Sequence, residues 1–242
     1  ASLRTMLLTF VGGLFLLVAI GLIVARTQTT SLSRVLADPV WTSDPAYAAV
    51  IAILVALAGF SKAAQFPFHV WLPDAMAAPT PVSAYLHAAA VVKAGIFLLL
   101  RFSPAFHEVP AWNVLLLVVG LVTGFIGARY ALAQTDLKRL MAYSTVSQLG
   151  LITATIGVGT VAALTAAVLH TIAHALFKSG LFLMVGIVDH ATGTRDVRRL
   201  PPLMRAMPVS FTLTVIGCAA MAGIPPLLGF VSKEMLLQSL LD

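Results

Sequence analysis

Apolar stretches of about 18 or more residues recur along this chain, separated by short polar clusters, which is the pattern of a polytopic helical membrane protein. Seven spans are predicted, over residues 5–25, 48–72, 81–101, 111–131, 140–158, 161–188 and 208–241. Two of them are irregular. The second meets Pro67 and then Pro73, and the seventh meets Pro225 and Pro226 in the run GIPPLLG (223–229). Proline inside a helix removes a hydrogen bond and clashes with the preceding turn. At membrane depth the freed carbonyls persist only where protein or a watery cavity satisfies them. Both helices are therefore expected to be broken, which is a transporter trait. The fold class is all-α, a polytopic membrane bundle forming one transmembrane unit over residues 1–242. A first residue that is not Met, and an apolar helical pattern still running near residue 242, read as a piece of a longer chain.

Composition agrees with the pattern. Sixty per cent of the residues are hydrophobic, 10% are charged and the mean hydropathy is +0.99, which no ordinary water-soluble domain approaches. The net charge of +6 would suggest nucleic acid in a soluble protein, but here the arginines decorate loops, so lipid is the partner and nucleic acid is not. Placing loops on alternate sides puts Arg4, Arg129, Lys138, Arg139, Arg195, Arg198, Arg199 and Arg205 together, against Arg26, Arg34 and Arg101. By the positive-inside rule the first set faces the cytoplasm. The lone Cys218 excludes a disulfide framework and a zinc site built on cysteines.

The loops account for 11 of the 15 cations, and the remaining four are lysines inside spans: Lys62, Lys93, Lys178 and Lys233. Lys93 lies about 8 residues, on the order of 12 Å, from the nearer interface, too far for its stem to reach water. A charged lysine at the bilayer centre costs at least ~2.5–3.5 kcal/mol. Carboxylates to match are scarce, since only Asp74 and Glu234 lie near the membrane. Either the lysines are substantially neutral, because desolvation disfavours the charge, or their partners lie in other segments or subunits. A lysine poised between those states accepts and releases protons, so the set reads as a relay. The bland alternative is a structural plug, each ammonium bonded to carbonyls freed by a broken helix.

The segment HTIAHALFKSGLFLM (170–184) sharpens the relay reading. His170, His174 and Lys178 are each four residues from the next, so an α-helix stacks them on one face about 6 Å apart. His87 gains weight by preceding Lys93 by six residues. His69, beside Trp71, reads as interfacial or structural, and His107 and His190 as loop residues. KAGIFLL (93–99) and KSGLFLM (178–184) are near copies, a hint of internal duplication too short to establish one.

Four stretches, SKAAQFPFHVWLPDAMAAPTPVSAYLHAAAVVKAGIFLL (61–99), DLKRLMAYSTVSQLG (136–150), HTIAHALFKSGLF (170–182) and GIPPLLGFVSKE (223–234), together resemble the proton-translocating antiporter-like subunits. These are shared by Mrp-type multisubunit Na⁺/H⁺ antiporters and the membrane arm of respiratory complex I. The resemblance implies a unit built from two inverted repeats, each with a broken helix. It implies that Lys62, before Pro67, and Lys233, after Pro225, are the broken-helix lysines, and that His170, His174, Lys178, His87 and Lys93 lie on the central hydrophilic axis. It also implies a glutamate partner for Lys62 on a helix preceding residue 1. VDHATGTRDVRRL (188–200) and Lys93 resemble the large A-type component of the Mrp antiporters more than the L-type component of complex I, which typically has threonine there. The AMAAPTPVSAYLHAA stretch argues against the related D-type component. LPPLMRAMP departs from the family, which commonly shows glycines after that leucine.

The implied function is a proton-translocating part of a monovalent cation (Na⁺)/proton antiporter in the bacterial cytoplasmic membrane, multi-pass and working with other membrane subunits of the same complex. Its alternative is a pumping subunit of NADH-quinone oxidoreductase. On either reading the chain is an ion-transporter subunit rather than an oxidoreductase, since it lacks the motifs that bind flavin, iron–sulfur clusters or nucleotide, so no cofactor is expected. No metal site is expected either, because a Na⁺ cage wants oxygen ligands and intramembrane carboxylates are nearly absent. A third reading, a retinal protein with a Schiff-base lysine in its last span, is opposed by the broken helices, the extra lysines and the missing acidic counter-ion.

Overall fold

The computed structural model describes residues 2–86 and 90–240. Its long helices are α1 (Ser2–Thr27), α2 (Pro45–Lys62), α4 (Val91–Phe106), α5 (Pro110–Leu132), α6 (Leu137–Val158), α7 (Val161–Thr192), α8 (Pro208–Ala222) and α9 (Leu228–Gln238), with α3 (Thr80–Ala84) a short one between α2 and α4. Among the described residues α1, α2, α5 and α7 are long and apolar enough to cross a membrane by length and composition alone. The other expected spans are shorter, interrupted or carry more polar side chains. The third is α3 and α4, on either side of residues 87–89, which lie outside the described residues, as does the expected site residue His87. The fifth is α6, and the seventh is α8 and α9. The described residues contain no named strand, so the expected all-α membrane class is what the chain adopts.

Local chemistry sets the helix ends. Asp44 caps α2 by accepting from Tyr47 N at 3.1 Å, with Pro45 in the first turn where its missing N–H costs nothing. Asp136 caps α6 through Arg139 N at 3.1 Å, and Thr160 caps α7 through Ala163 N at 3.1 Å. Both expected breaks occur. The seventh span stops at Ala222, where Gly223 takes φ 87° and its N–H donates to the last carbonyls of α8, and it resumes at Leu228 beyond Pro225 and Pro226. The second stops at Lys62, five residues before Pro67. Ala64 (φ 50°) turns the chain out of the helix, and Phe66 N leaves the helical ladder to donate to Thr123 Oγ1 at 2.9 Å. Trp71 then folds back, its Nε1 donating to Ser61 O at 2.9 Å.

The bundle is organised around two seams. On one side α2 packs among α1, α4 and α5 over a core of Phe60, Ile96, Leu99, Phe106, Trp112 and Leu116. On the other, α7 is flanked by α3, α6, α8 and α9. The most extensive contact joins α5 to α6. A Cβ placed at Gly150 would sit 2.4 Å from Gly124 N and 2.6 Å from Gly120 O, so only hydrogen fits there, and Ser147 Oγ donates to Gly124 O at 2.9 Å. Small residues let membrane helices approach to this distance.

Ion pairs collect at the two ends. Arg4 reaches Asp74 (3.5 Å), Arg195 spans Asp136 (3.4 Å) and Asp189 (3.9 Å), and Arg198 holds Asp196 (2.7 Å) at one end. Arg26 meets Asp44 (3.5 Å) at the other. This is the partition of cations that loop alternation predicts. Arg198 keeps the Asp196 carboxyl down to about 2, well below the usual carboxylate range.

Overpacking the α5–α6 seam is expected to destabilise the assembly. Gly150→Leu should cost about 1–3 kcal/mol or more and lower the melting temperature of the purified protein in mild detergent. Gly21→Leu, where a Cβ meets nothing within 4 Å, should leave it unchanged or raised.

Candidate functional site

The site is strung along α7, because a single helix carries His170, His174 and Lys178 at one-turn spacing and the neighbouring helices supply their partners. All three side chains are fully buried. His170 bridges two helices: its Nε2 meets Gln148 Oε1 of α6 at 2.8 Å and its Nδ1 meets Ser232 Oγ of α9 at 3.0 Å. A neutral imidazole suits both contacts, with Nε2–H donating to the amide oxygen and Nδ1 accepting from the hydroxyl. One turn on, His174 Nδ1 is hydrogen-bonded to Lys93 Nζ of α4, while His174 Nε2 is buried with no hydrogen-bond partner among the described residues. Phe177 closes one side, its ring centroid 5.4 Å from that of His174 in an edge-on arrangement. One turn further, Lys178 Nζ donates to Met141 O at 3.4 Å and is hydrogen-bonded to Ser144 Oγ, both on α6.

The axis thus joins α4, α6, α7 and α9. The helix geometry explains how the partners match. Ser144 and Gln148 are one turn apart on α6, about 6 Å, whereas Lys178 and His170 are two turns apart on α7. A helical side chain leans toward the N-terminus of its own helix, so the long lysine stem of α7 covers the difference.

The two broken-helix lysines behave differently from the axis and from each other. Lys233 Nζ donates to Met221 O at 2.6 Å and to Ala222 O at 3.3 Å, the last carbonyls of α8 laid bare by the break. This is the plug arrangement, and Glu234 beside it is exposed. Lys62 ends α2, half-buried, without a hydrogen bond or ion pair among the described residues. No ion pair among them involves Lys62, Lys93, Lys178 or Lys233. Nor does any group of three or more His, Cys, Asp or Glu there come close enough to hold a metal.

His107 and His190 lie at helix ends, His107 facing Glu108 at 3.7 Å. His69 is half-buried and stacks on Phe66, the structural placement its neighbour Trp71 suggests. One expectation changes. Lys138, counted among the loop cations, is only 4% exposed, and its Nζ donates to Ala78 O at 3.2 Å. The cap at Asp136 starts α6 before it and folds it under the segment leading to α3. Sequence reasoning also passed over Gln148, Ser144 and Ser232. The one-turn spacing of Ser144 and Gln148 is a readable signal, as is the place of Ser232 next to Lys233.

Buried lysines and histidines spread over intact and broken helices put the molecule in the class of antiporter-like membrane proteins. Over residues 1–242 it matches the pattern described as NADH:quinone oxidoreductase/Mrp antiporter, TM, and it belongs to that family. It is similar to the A-type component of the Na(+)/H(+) antiporter of Alkalihalophilus pseudofirmus, with 48% identity over 98% of this chain and 31% of the relative. The A1-type component of the Staphylococcus aureus Na(+)/H(+) antiporter is 45% identical, again over 98% and 31%. The chain therefore spans about a third of the length of these curated relatives. Among solved structures, a chain of the Mrp complex from Dietzia sp. superposes with TM-score 0.97 at 62% identity, covering 99% of this chain and 26% of that one. A chain of the membrane-bound sulfane sulfur reductase, an archaeal respiratory membrane complex, superposes with TM-score 0.85 at 30% identity, covering 97% and 48%.

Gln148→Leu should leave His170 Nε2 without an acceptor and cost about 1–3 kcal/mol. Ser232→Ala removes one interhelical bond, worth about 0.6–1.7 kcal/mol in a membrane bundle. Thermal unfolding of the purified protein, read for each variant and for the pair, checks both the order and the coupling through His170.

Proposed function

We propose that the chain is the proton-translocating part of a multisubunit Na⁺/H⁺ antiporter of the bacterial cytoplasmic membrane, moving protons along the axis Lys93, His174, Lys178 and His170. The observation that carries this reading is the direct contact of Lys93 with His174, one turn from the buried Lys178. Two positive charges about 3 Å apart repel by about 5 kcal/mol at an effective dielectric of 20. The pair therefore holds one excess proton comfortably and two only at high cost, so a proton arriving on one partner expels that on the other. His174 Nε2, without a protein partner among the described residues, is the edge from which the next transfer proceeds toward Lys178. His170 extends the series to Ser232, adjacent to Lys233 on the second broken helix. Lys62 takes a carboxylate supplied by the rest of the protein, as the family resemblance implies. Cation movement, and the Na⁺ ligands it needs, belong to other segments or to the other membrane subunits of the complex. The identity to the A-type antiporter components supports this assignment.

A second reading, a pumping subunit in the membrane arm of a redox-driven complex such as NADH-quinone oxidoreductase, draws on the likeness to the respiratory sulfane sulfur reductase. The two differ in what copurifies. Complex isolated through a tag on this chain should be colourless. Stoichiometric flavin and iron–sulfur absorbance would assign it to a redox pump instead.

Lys178→Ala is the direct test of the axis. In everted vesicles, Na⁺-driven proton flux should fall by roughly 100-fold or more, the contribution of a well-placed proton-transferring side chain, while the complex is recovered in wild-type amount. Full flux in that variant would overturn the assignment.

A further inference from the structure

Ser232 of α9 is fully buried, and its hydroxyl has one hydrogen but two acceptors within reach. His170 Nδ1 lies 3.0 Å from the hydroxyl oxygen, and Gly229 O of the same helix lies 3.2 Å from it. A hydroxyl turns to suit its neighbours, yet its hydrogen serves one of them at a time. With the hydrogen on Nδ1, the imidazole accepts there. With the hydrogen on Gly229 O, the hydroxyl oxygen turns a lone pair to the ring and accepts from an Nδ1–H. His170 Nε2 has no such choice, because its partner at 2.8 Å is the amide oxygen of Gln148, which only accepts. No ion pair among the described residues involves His170. The charged groups that act on it are Lys93 of α4 and Lys233 of α9, with His174 one turn away on α7, while α6 presents the neutral Gln148. Hydrogen bonds are therefore what support a charge on this ring. Gly229 is itself fixed at the second helix break: a Cβ there would collide with Ala220 O of α8.

We propose that Ser232 is the positioning residue of His170, a hydroxyl that turns from Nδ1 to Gly229 O whenever His170 takes up a proton. The proposal rests on the proton-axis reading above. Gln148 keeps a hydrogen on Nε2, so Nδ1 is the atom that gains and loses the transported proton. On charging, a proton carried by the axis forms an Nδ1–H bond, and no bond of Ser232 breaks, since only the torsion of its hydroxyl changes. On discharge the Nδ1–H bond breaks, the proton returns to the axis and the hydroxyl swings back. The charged state thus has two bonds at Ser232 where the neutral state has one. The added bond lies in the first turn of α9, close to the Met221 and Ala222 carbonyls that hold Lys233. The charge of one buried histidine is thereby registered at the break without any movement of the backbone. A serine that merely bridged two helices would need the imidazole alone.

The tautomer of His170 tests this directly. The protein labelled with ¹⁵N-histidine is placed in lipid bilayers at alkaline pH, and its imidazole nitrogens are read by solid-state NMR. The His170 signals are those lost in His170→Gln. In the wild type Nε2 should carry the hydrogen and Nδ1 should be an acceptor. In Gln148→Leu the hydrogen should move to Nδ1, because Nδ1–H to Ser232 and Ser232 to Gly229 O then make two bonds against one. A hydrogen on Nε2 in both proteins would show a hydroxyl locked on the imidazole, and one on Nδ1 in both would show it locked on Gly229 O. Either result would overturn the proposal. Ser232→Ala should lower Na⁺-driven proton flux in everted vesicles roughly tenfold per amount of protein recovered, the rate equivalent of one net hydrogen bond. Wild-type flux in that variant would leave Ser232 a structural bridge and overturn its role. Full flux in Lys178→Ala would remove the axis instead, a failure that leaves the tautomers as they are.

Discussion

An ammonium or imidazole nitrogen inside a hydrocarbon layer has to find a partner, and the rest of this molecule follows from how that demand is met. On α7 the demand arises three times at successive turns, so the helix cannot face lipid on that side. It draws α4, α6 and α9 around itself through Lys93, Ser144, Gln148 and Ser232. The same need explains why both breaks are tolerated. Carbonyls released at the end of α8 are taken up by Lys233, and the amide of Phe66 beyond α2 is taken up by Thr123. Polar groups that would each be costly alone become mutually satisfying when the helices assemble.

The proposed proton axis builds on the same pairing. A hydrogen bond between two groups that both accept protons has its stabilising state and its transporting state only one proton apart. Lys93 with His174 is such a bond. Lys233 differs, since its partners are carbonyls that never titrate. Its bonds hold the break closed whenever it is an ammonium. The two intramembrane lysine arrangements, one paired with a titratable side chain and one with freed carbonyls, thus occur in one chain.

Much of this was legible in the sequence. Apolar runs located the long helices, the 170–174–178 spacing fixed the face of α7, and Pro225 and Pro226 marked the second break. Less visible was anything decided between helices. Pro67 pointed to the first break, but the helix ends at Lys62, because a tertiary bond to Thr123 competes with the ladder before the proline is reached. Lys138 read as a loop cation because it precedes the apolar part of α6. Its burial depends on the 75–80 segment folding over it, which no local pattern encodes. Gln148, Ser144 and Ser232 are polar residues of ordinary kind, and they gain importance only from what stands opposite.

The glycine seam between α5 and α6 has a kinetic consequence. With Gly150 pressed against the backbone of Gly124 and Gly120, α6 has no room to slide or roll against α5, and its hydroxyl and amide groups stay at fixed heights. Changes in bonding along the axis then fall to rotations about side-chain torsions, above all in the four-carbon arm of Lys178. Such rotations do not have to wait for the microsecond-to-millisecond rearrangements of whole helices. A stationary rail with jointed arms sets its pace by the arms.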